Sequence, residues 1–192
     1  MTVKKETSVV VGVTASIALY KACDVIRRLK ERGMQVSVVM TEEAATFIHP
    51  LVFQSLSENR VYRGLFEEPD VWEIGHISLA DRADMVLVVP ATANTISKVA
   101  HGICDDILTC VISATKAPVV FCPAMNENMY LNKITQSNIR ILKDAGYDFI
   151  EPRTGKLACG KIGVGCLADV DTIVQETLKV LSQKVRGDVA KR

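Results

Sequence analysis

Four short runs of apolar, mostly β-branched residues constrain this chain most: Ser8 to Val13 (SVVVGV), Gln35 to Met40 (QVSVVM), Met85 to Val89 (MVLVV) and Pro118 to Cys122 (PVVFC). Each is too short for a core helix and apolar on both of the faces a strand would present. Such runs belong in the interior of a parallel sheet covered on both sides. Between and after them lie stretches with helical spacing: Ser16 to Arg32 ending at Gly33, then Asn94 to Ala100, Asp106 to Thr115, Lys133 to Ala145 and Val170 to Gln183. The alternation predicts a doubly wound α/β fold, a Rossmann- or flavodoxin-like three-layer sandwich with right-handed crossovers. With 192 residues, 48% of them apolar, the chain suits one domain over residues 1–183 and a polar tail over 184–192.

Lys plus Arg number 23 and Asp plus Glu 22, a net charge of +1. That balance gives no electrostatic footing for a nucleic-acid or membrane partner, and it does little to keep copies apart. Met1 to Glu6 holds lysines but no separate apolar segment, and no apolar run approaches membrane-spanning length, so a cytoplasmic protein is expected. The six cysteines form no C-x-x-C pair and only three histidines accompany them, so no metal site is expected. Cys23, Cys110 and Cys122 fall in apolar runs and read as reduced core thiols.

Ligand-binding chemistry is expected where the strands end. The first runs into G-V-T-A-S-I-A, with Gly12 read as permitting a tight turn and Thr14, Ala15 and Ser16 opening a helix. Unpaired amides and the helix dipole at such a place favour a phosphate. The G-x-G-x-x-G pattern is absent, which favours a mononucleotide over a dinucleotide. Thr41 ends the second strand at the same edge. The run at 85–89 leads into Pro90-Ala-Thr92-Ala93-Asn94-Thr95, and PVVFC leads into P-A-M-N-E-N-M-Y, with Ala124, Met125 and Asn126. Small and polar residues in both loops suit a flat ring held between two walls. Pro152 to Asp169 breaks the alternation with four glycines and no helical period, as a lid would. His76 stands in W-E-I-G-H-I-S-L after the only tryptophan, Trp72, while His49 and His101 read as structural.

Taken together, G-x-T-A-S-I-A, G-H-I-S-L, P-A-T-A-N-T, P-A-M-N-E-N-M-Y and G-K-L-A-C-G-x-x-G-x-G resemble the homo-oligomeric flavin-containing cysteine decarboxylases. Within that family the pattern is most similar to the phosphopantothenoylcysteine decarboxylases of coenzyme A biosynthesis, free-standing or as the N-terminal half of a bifunctional enzyme. The resemblance covers about residues 7–183. It implies an FMN site on Gly12, Thr14, Ala15, Ser16, Thr41, Pro90, Thr92, Ala93, Asn94, Thr95 and Ala124. It further implies a substrate, 4'-phosphopantothenoylcysteine, held by Met125, Asn126, Ala158 and Gly160, with His76, Asn126 and Cys159 in catalysis. The family forms trimers, sometimes gathered into dodecamers. Three positions depart from its pattern: Thr92 stands where serine is usual, Tyr130 where tryptophan is usual, and Cys166 where the clamp commonly has arginine.

The implied chemistry accounts for these parts. Loss of CO2 from an unactivated cysteine would leave a carbanion with no electron sink. Oxidation of the CH2–SH group by flavin creates a thioaldehyde that accepts those electrons, and a returned hydride with a proton from a thiol completes the product. Asn126 would bind the carboxylate, His76 would handle a proton or stabilise charge near the thiolate, and Cys159 would be the acid. Relatives in view are peptidyl-cysteine decarboxylases of antibiotic maturation, which share nearly every motif, and flavin prenyltransferases, whose first loop usually reads G-A-S-G and which lack the cysteine clamp. A non-catalytic flavoprotein regulating a phosphatase would have lost the three catalytic side chains present here.

Overall fold

A computed structural model describes the backbone of residues 6–65 and 75–190, and the side chains of those residues up to 183. Trp72 lies outside the described residues. In chain order the elements are β1 (Ser8–Val13), a 3-10 turn (Ile17–Leu19) running into α1 (Tyr20–Lys30), β2 (Gln35–Met40), α2 (Glu42–Phe47), α3 (Pro50–Ser57), β3 (Val61–Tyr62) and α4 (Gly75–Arg82). There follow β4 (Met85–Ala91), α5 (Ala93–Ala100), α6 (Ile107–Ala114), β5 (Val119–Pro123), α7 (Glu127–Leu131), α8 (Lys133–Asp144), β6 (Asp148–Phe149), β7 (Arg153–Lys156), β8 (Ile162–Cys166) and α9 (Val170–Ala190). Six strands form one parallel sheet in the order β3-β2-β1-β4-β5-β6, and β7 with β8 forms a separate antiparallel hairpin. The doubly wound α/β architecture expected from the alternation is what the chain adopts.

Side-chain alternation along the strands sorts the core into two layers. Val9, Val11 and Val13 of β1, with Met85, Leu87 and Val89 of β4, pack under α1, α3 and α9. Val10 of β1, with Val86 and Val88 of β4 and Phe121 of β5, packs under α4, α5, α6 and α8. Phe121 also stacks on Phe149, at 5.2 Å between centroids, which fixes the short edge strand β6. Strand order reverses between β1 and β4, so their carboxyl ends flank a crevice, the usual ligand position in such sheets.

Several elements differ from the sequence expectation. β3 and β6 have only two residues each, too few to show a period. α2 and α3 follow directly from their caps, Thr41 and His49, whose side chains accept from Ala44 N and Leu51 N. α9 continues to Ala190 rather than ending near Gln183, because the polar tail contains no proline to stop it. Cys122 is fully buried, as expected, but Cys23 and Cys110 are only half-buried. Burial pushes the Cys122 thiol far up, so it is inert. No helix among the described residues is long and apolar enough to cross a membrane.

Gly12 makes no turn. It lies within β1, paired with Val39 and Val88, and a Cβ there would stand 2.5 Å from Leu108 Cδ1. The glycine is required because α6 packs directly onto the strand. Gly12→Ala is therefore expected to destabilise the fold by about 1–3 kcal/mol through overpacking. Denaturant titration of Gly12→Ala, Leu108→Ala and the double variant should give a double-mutant cost smaller than the sum of the single costs.

Candidate functional site

The crevice between β1 and β4 is built by Thr14. Its buried hydroxyl donates to Pro90 O at 2.7 Å and accepts from Thr92 N at 3.0 Å. One side chain thus ties the loop after β1 to the loop after β4, and Thr14 itself is not among the residues that line the cleft. Ala124 N donates to Ala91 O at 3.1 Å, which draws in the loop after β5. Thr92 caps α5 by accepting from Thr95 N at 3.3 Å, with the two hydroxyls 3.2 Å apart. Ser16 caps the 3-10 turn by accepting from Ala18 N at 3.4 Å.

These loops and the hairpin enclose a cleft of about 610 Å³. Of the residues expected in the site, Ala15, Ser16, Thr92, Ala93 and Ala124 line its inner part. Met125, Asn126, Ala158 and Cys159 line its outer part. Gly12, Thr14, Thr41, Pro90 and Thr95 are not among the lining residues and act as packing, bridging or capping groups, and Asn94 is exposed in the first turn of α5 outside the lining. Thr41 is held by α2, accepting from Ala44 N at 3.2 Å, and Thr95 is buried beneath Thr92. Gly160 forms the hairpin turn, its amide donating to Leu157 O at 2.9 Å.

The hairpin brings two distant motifs together. Asn126 caps α7, with Oδ1 accepting from Asn128 N at 2.9 Å. That bond aims the amide nitrogen outward, and Nδ2 lies 3.9 Å from Cys159 Sγ, within reach of a weak bond to sulfur. Both side chains are exposed to the cleft mouth. Cys166 stands opposite Arg153 across the hairpin, its thiol donating to Lys156 O at 3.4 Å.

His76 is not part of this cleft. It sits in the first turn of α4, which packs on α6, and its Nδ1 is buried with no hydrogen-bond partner. The other two histidines have local bonds: His49 Nδ1 accepts from Leu51 N, and His101 Nδ1 lies 2.9 Å from Ser97 O. The sequence reading missed the cationic lining. Lys21, Arg153 and Lys156 face the cleft, and no acidic side chain is among its described lining residues. The signal was present, since the stretch from Pro152 holds one arginine and two lysines before its first acid at Asp169.

The lining of the cleft is compatible with a flavin. Ala93 and Ala124 leave room for a flat ring against backbone, and the Ala15–Ser16 turn opens a helix toward the same space.

Residues 1–182 match the family described as Flavoprotein. The chain is 48% identical over 170 residues to a probable phosphopantothenoylcysteine decarboxylase of Streptococcus mutans, covering 88% of this chain and 95% of that one. It is 46% identical over 168 residues to the coenzyme A biosynthesis bifunctional protein CoaBC of Bacillus subtilis, and spans 41% of that longer protein. Among solved structures, a PPC decarboxylase mutant complexed with pantothenoylaminoethenethiol superposes with a TM-score of 0.81 at 26% identity, over 93% of this chain and all of that one (100%). The FMN-dependent cysteine decarboxylase SpaF also gives 0.81, at 28% identity, over 93% and 97% of the two chains.

Replacing Thr14 tests the bridge between the loops. Thr14→Val should cost about 1–3 kcal/mol in denaturant titration, because it strands a buried carbonyl and a half-buried amide, whereas Thr14→Ser should stay close to wild type.

Proposed function

The chain belongs to the flavoprotein family, and on that premise we propose that it decarboxylates 4'-phosphopantothenoylcysteine to 4'-phosphopantetheine using FMN. The observation that carries the reading is the meeting of Asn126 and Cys159, two residues 33 apart in sequence, at the mouth of a cleft shaped for a flat ring. Similarity to the decarboxylases named above supports the same activity. Bound flavin supplies the hydride acceptor and donor that a cysteine side chain cannot provide for itself.

The chain's own residues then divide the work. Asn126, with its oxygen held by the α7 cap, presents an N–H to the substrate carboxylate and orients it. Cys159, in the hairpin turn next to that amide, donates the proton that completes the saturated product. Leu157 at the hairpin's turn and Leu167 at its base are buried and add apolar surface to the cleft wall. The substrate is anionic at both ends, and the cationic lining of Lys21, Arg153 and Lys156 favours it over an uncharged peptide bearing a C-terminal cysteine.

His76 enters through assembly. Its absence from its own chain's cleft supports a homo-oligomer, a trimer or a dodecamer built from trimers, in which it serves a neighbouring copy. The exposed apolar side chain of Ile77, next to it on the same helix, suits such a contact.

Four outcomes are expected. The purified protein, supplied with FMN, should hold one noncovalent FMN per subunit, seen between about 350 and 500 nm and released intact on denaturation; NAD, FAD or no bound chromophore would contradict the assignment. Cys159→Ser should still release CO2 but slow formation of the saturated product by about 10²–10⁴-fold, so that the oxidised ene-thiol accumulates in mass spectra. Co-expressed His76→Asn and Cys159→Ser chains should recover turnover that neither has alone, because some mixed sites carry both intact residues. Removing the substrate phosphate should lower kcat/KM by roughly 10- to 100-fold, with Arg153→Ala narrowing the difference.

A further inference from the structure

Glu127 follows Asn126 directly, and its half-buried carboxylate does not point to solvent. Its Oε1 accepts from Val164 N at 3.1 Å. One residue further along the hairpin strand, Gly165 O accepts from Met125 N at 3.0 Å. The two bonds run in opposite directions between the start of α7 and β8, as they would between paired strands. The Glu127 side chain therefore takes the place of a backbone carbonyl and extends the hairpin's pairing onto the body of the protein. β8 is shaped to receive it. A Cβ at Gly163 would stand 2.5 Å from the Glu127 carboxyl carbon, and one at Gly165, where φ is +128°, would stand 2.3 Å from Met125 O. Both glycines are buried, whereas Ile162 beside them is exposed.

The consequence reaches Cys159. The thiol sits at the hairpin's far end, and its polar neighbour on the body, among the described residues, is Asn126 at 3.9 Å. The register of the hairpin against residues 125–127 sets that approach. We propose that Glu127 is a positioning residue for the reaction assigned above: its bond to Val164 N latches the hairpin in the register that sets the Cys159 thiol beside the Asn126 amide. This rests on the decarboxylase reading for its consequence, but the latch itself does not.

Two variants separate the bond from the mere presence of a side chain. Glu127→Gln keeps an oxygen acceptor of the same reach, while Glu127→Ala removes it. Hydrogen exchange of the FMN-loaded protein, resolved at Val164, needs no substrate. Exchange should accelerate about tenfold or more in Glu127→Ala, where the amide loses its acceptor, and change little in Glu127→Gln. Turnover then reads positioning. In Glu127→Ala the ratio of oxidised ene-thiol to saturated product should rise about tenfold or more, with KM changed less than kcat, and Glu127→Gln should restore most of the wild-type ratio. Unchanged exchange in Glu127→Ala, or equal acceleration in both variants, overturns the latch. Faster exchange with an unchanged product ratio overturns the positioning role. Wild-type protein that releases no CO2 at all would instead refute the decarboxylase reading, and the exchange result would still decide the latch.

Discussion

At the switch point of this sheet the chain leaves β1 toward the β3 edge and crosses back to β4 on the other side of β1, so two strand ends whose connections diverge must be kept at a fixed separation. The Thr14 hydroxyl does this with one donated and one accepted bond, to Pro90 O and from Thr92 N. Everything that follows is hung from that point: the turn at Ala15–Ser16, the cap at Thr92, and through Ala124 N and Ala91 O the loop carrying Asn126. Both partners are backbone groups, the Pro90 carbonyl buried and the Thr92 amide half-buried, so losing the hydroxyl would strand the carbonyl and weaken the tie between the loops. Close packing enforces the same geometry from below, where Leu108 touches β1 at Gly12.

The outer part of the site is governed differently. The hairpin β7–β8 adds no strand to the main sheet and few side chains to the core, so its position depends on a small number of polar contacts. Arg153 pairs with Asp169 at its base, Met125 pairs with Gly165, and Glu127 reaches Val164. An element held this way can open for substrate and close around it without disturbing the core. The division suits the proposed chemistry, in which a rigid inner wall orients a ring while a movable outer segment delivers a thiol.

Much of this was legible in the sequence, for physical reasons that differ from place to place. The four buried runs are apolar on both faces because both faces are covered, so parallel pairing could be inferred without coordinates. Thr92 and Asn126 were visible as polar residues in loops at strand ends, but that each caps a helix shows only in the fold. Gly12 was misread because a glycine in a strand and a glycine in a turn look alike until the partner, Leu108, is known to approach from 96 residues away in sequence. The bonding of Thr14 to Pro90 and Thr92 was out of reach because it depends on a crossover pairing that no local pattern encodes. The hairpin's glycines identified a lid, but they could not reveal that Gly163 is small to admit Glu127. His76 was found by motif, and only the fold shows that its own cleft lies elsewhere.

The central claim is that one cleft, built on the Thr14 bridge and closed by the hairpin, holds the flavin beside Asn126 and Cys159. A crystal structure of the FMN-loaded protein tests it most directly. The account predicts the FMN phosphate at the Ala15–Ser16 turn, the ring between the Thr92–Ala93 and Ala124 walls, and His76 of a neighbouring copy facing that ring. Flavin bound elsewhere, for example in the separate cavity beside Lys116 and Tyr147, or a ring out of reach of Asn126 and Cys159, would contradict it.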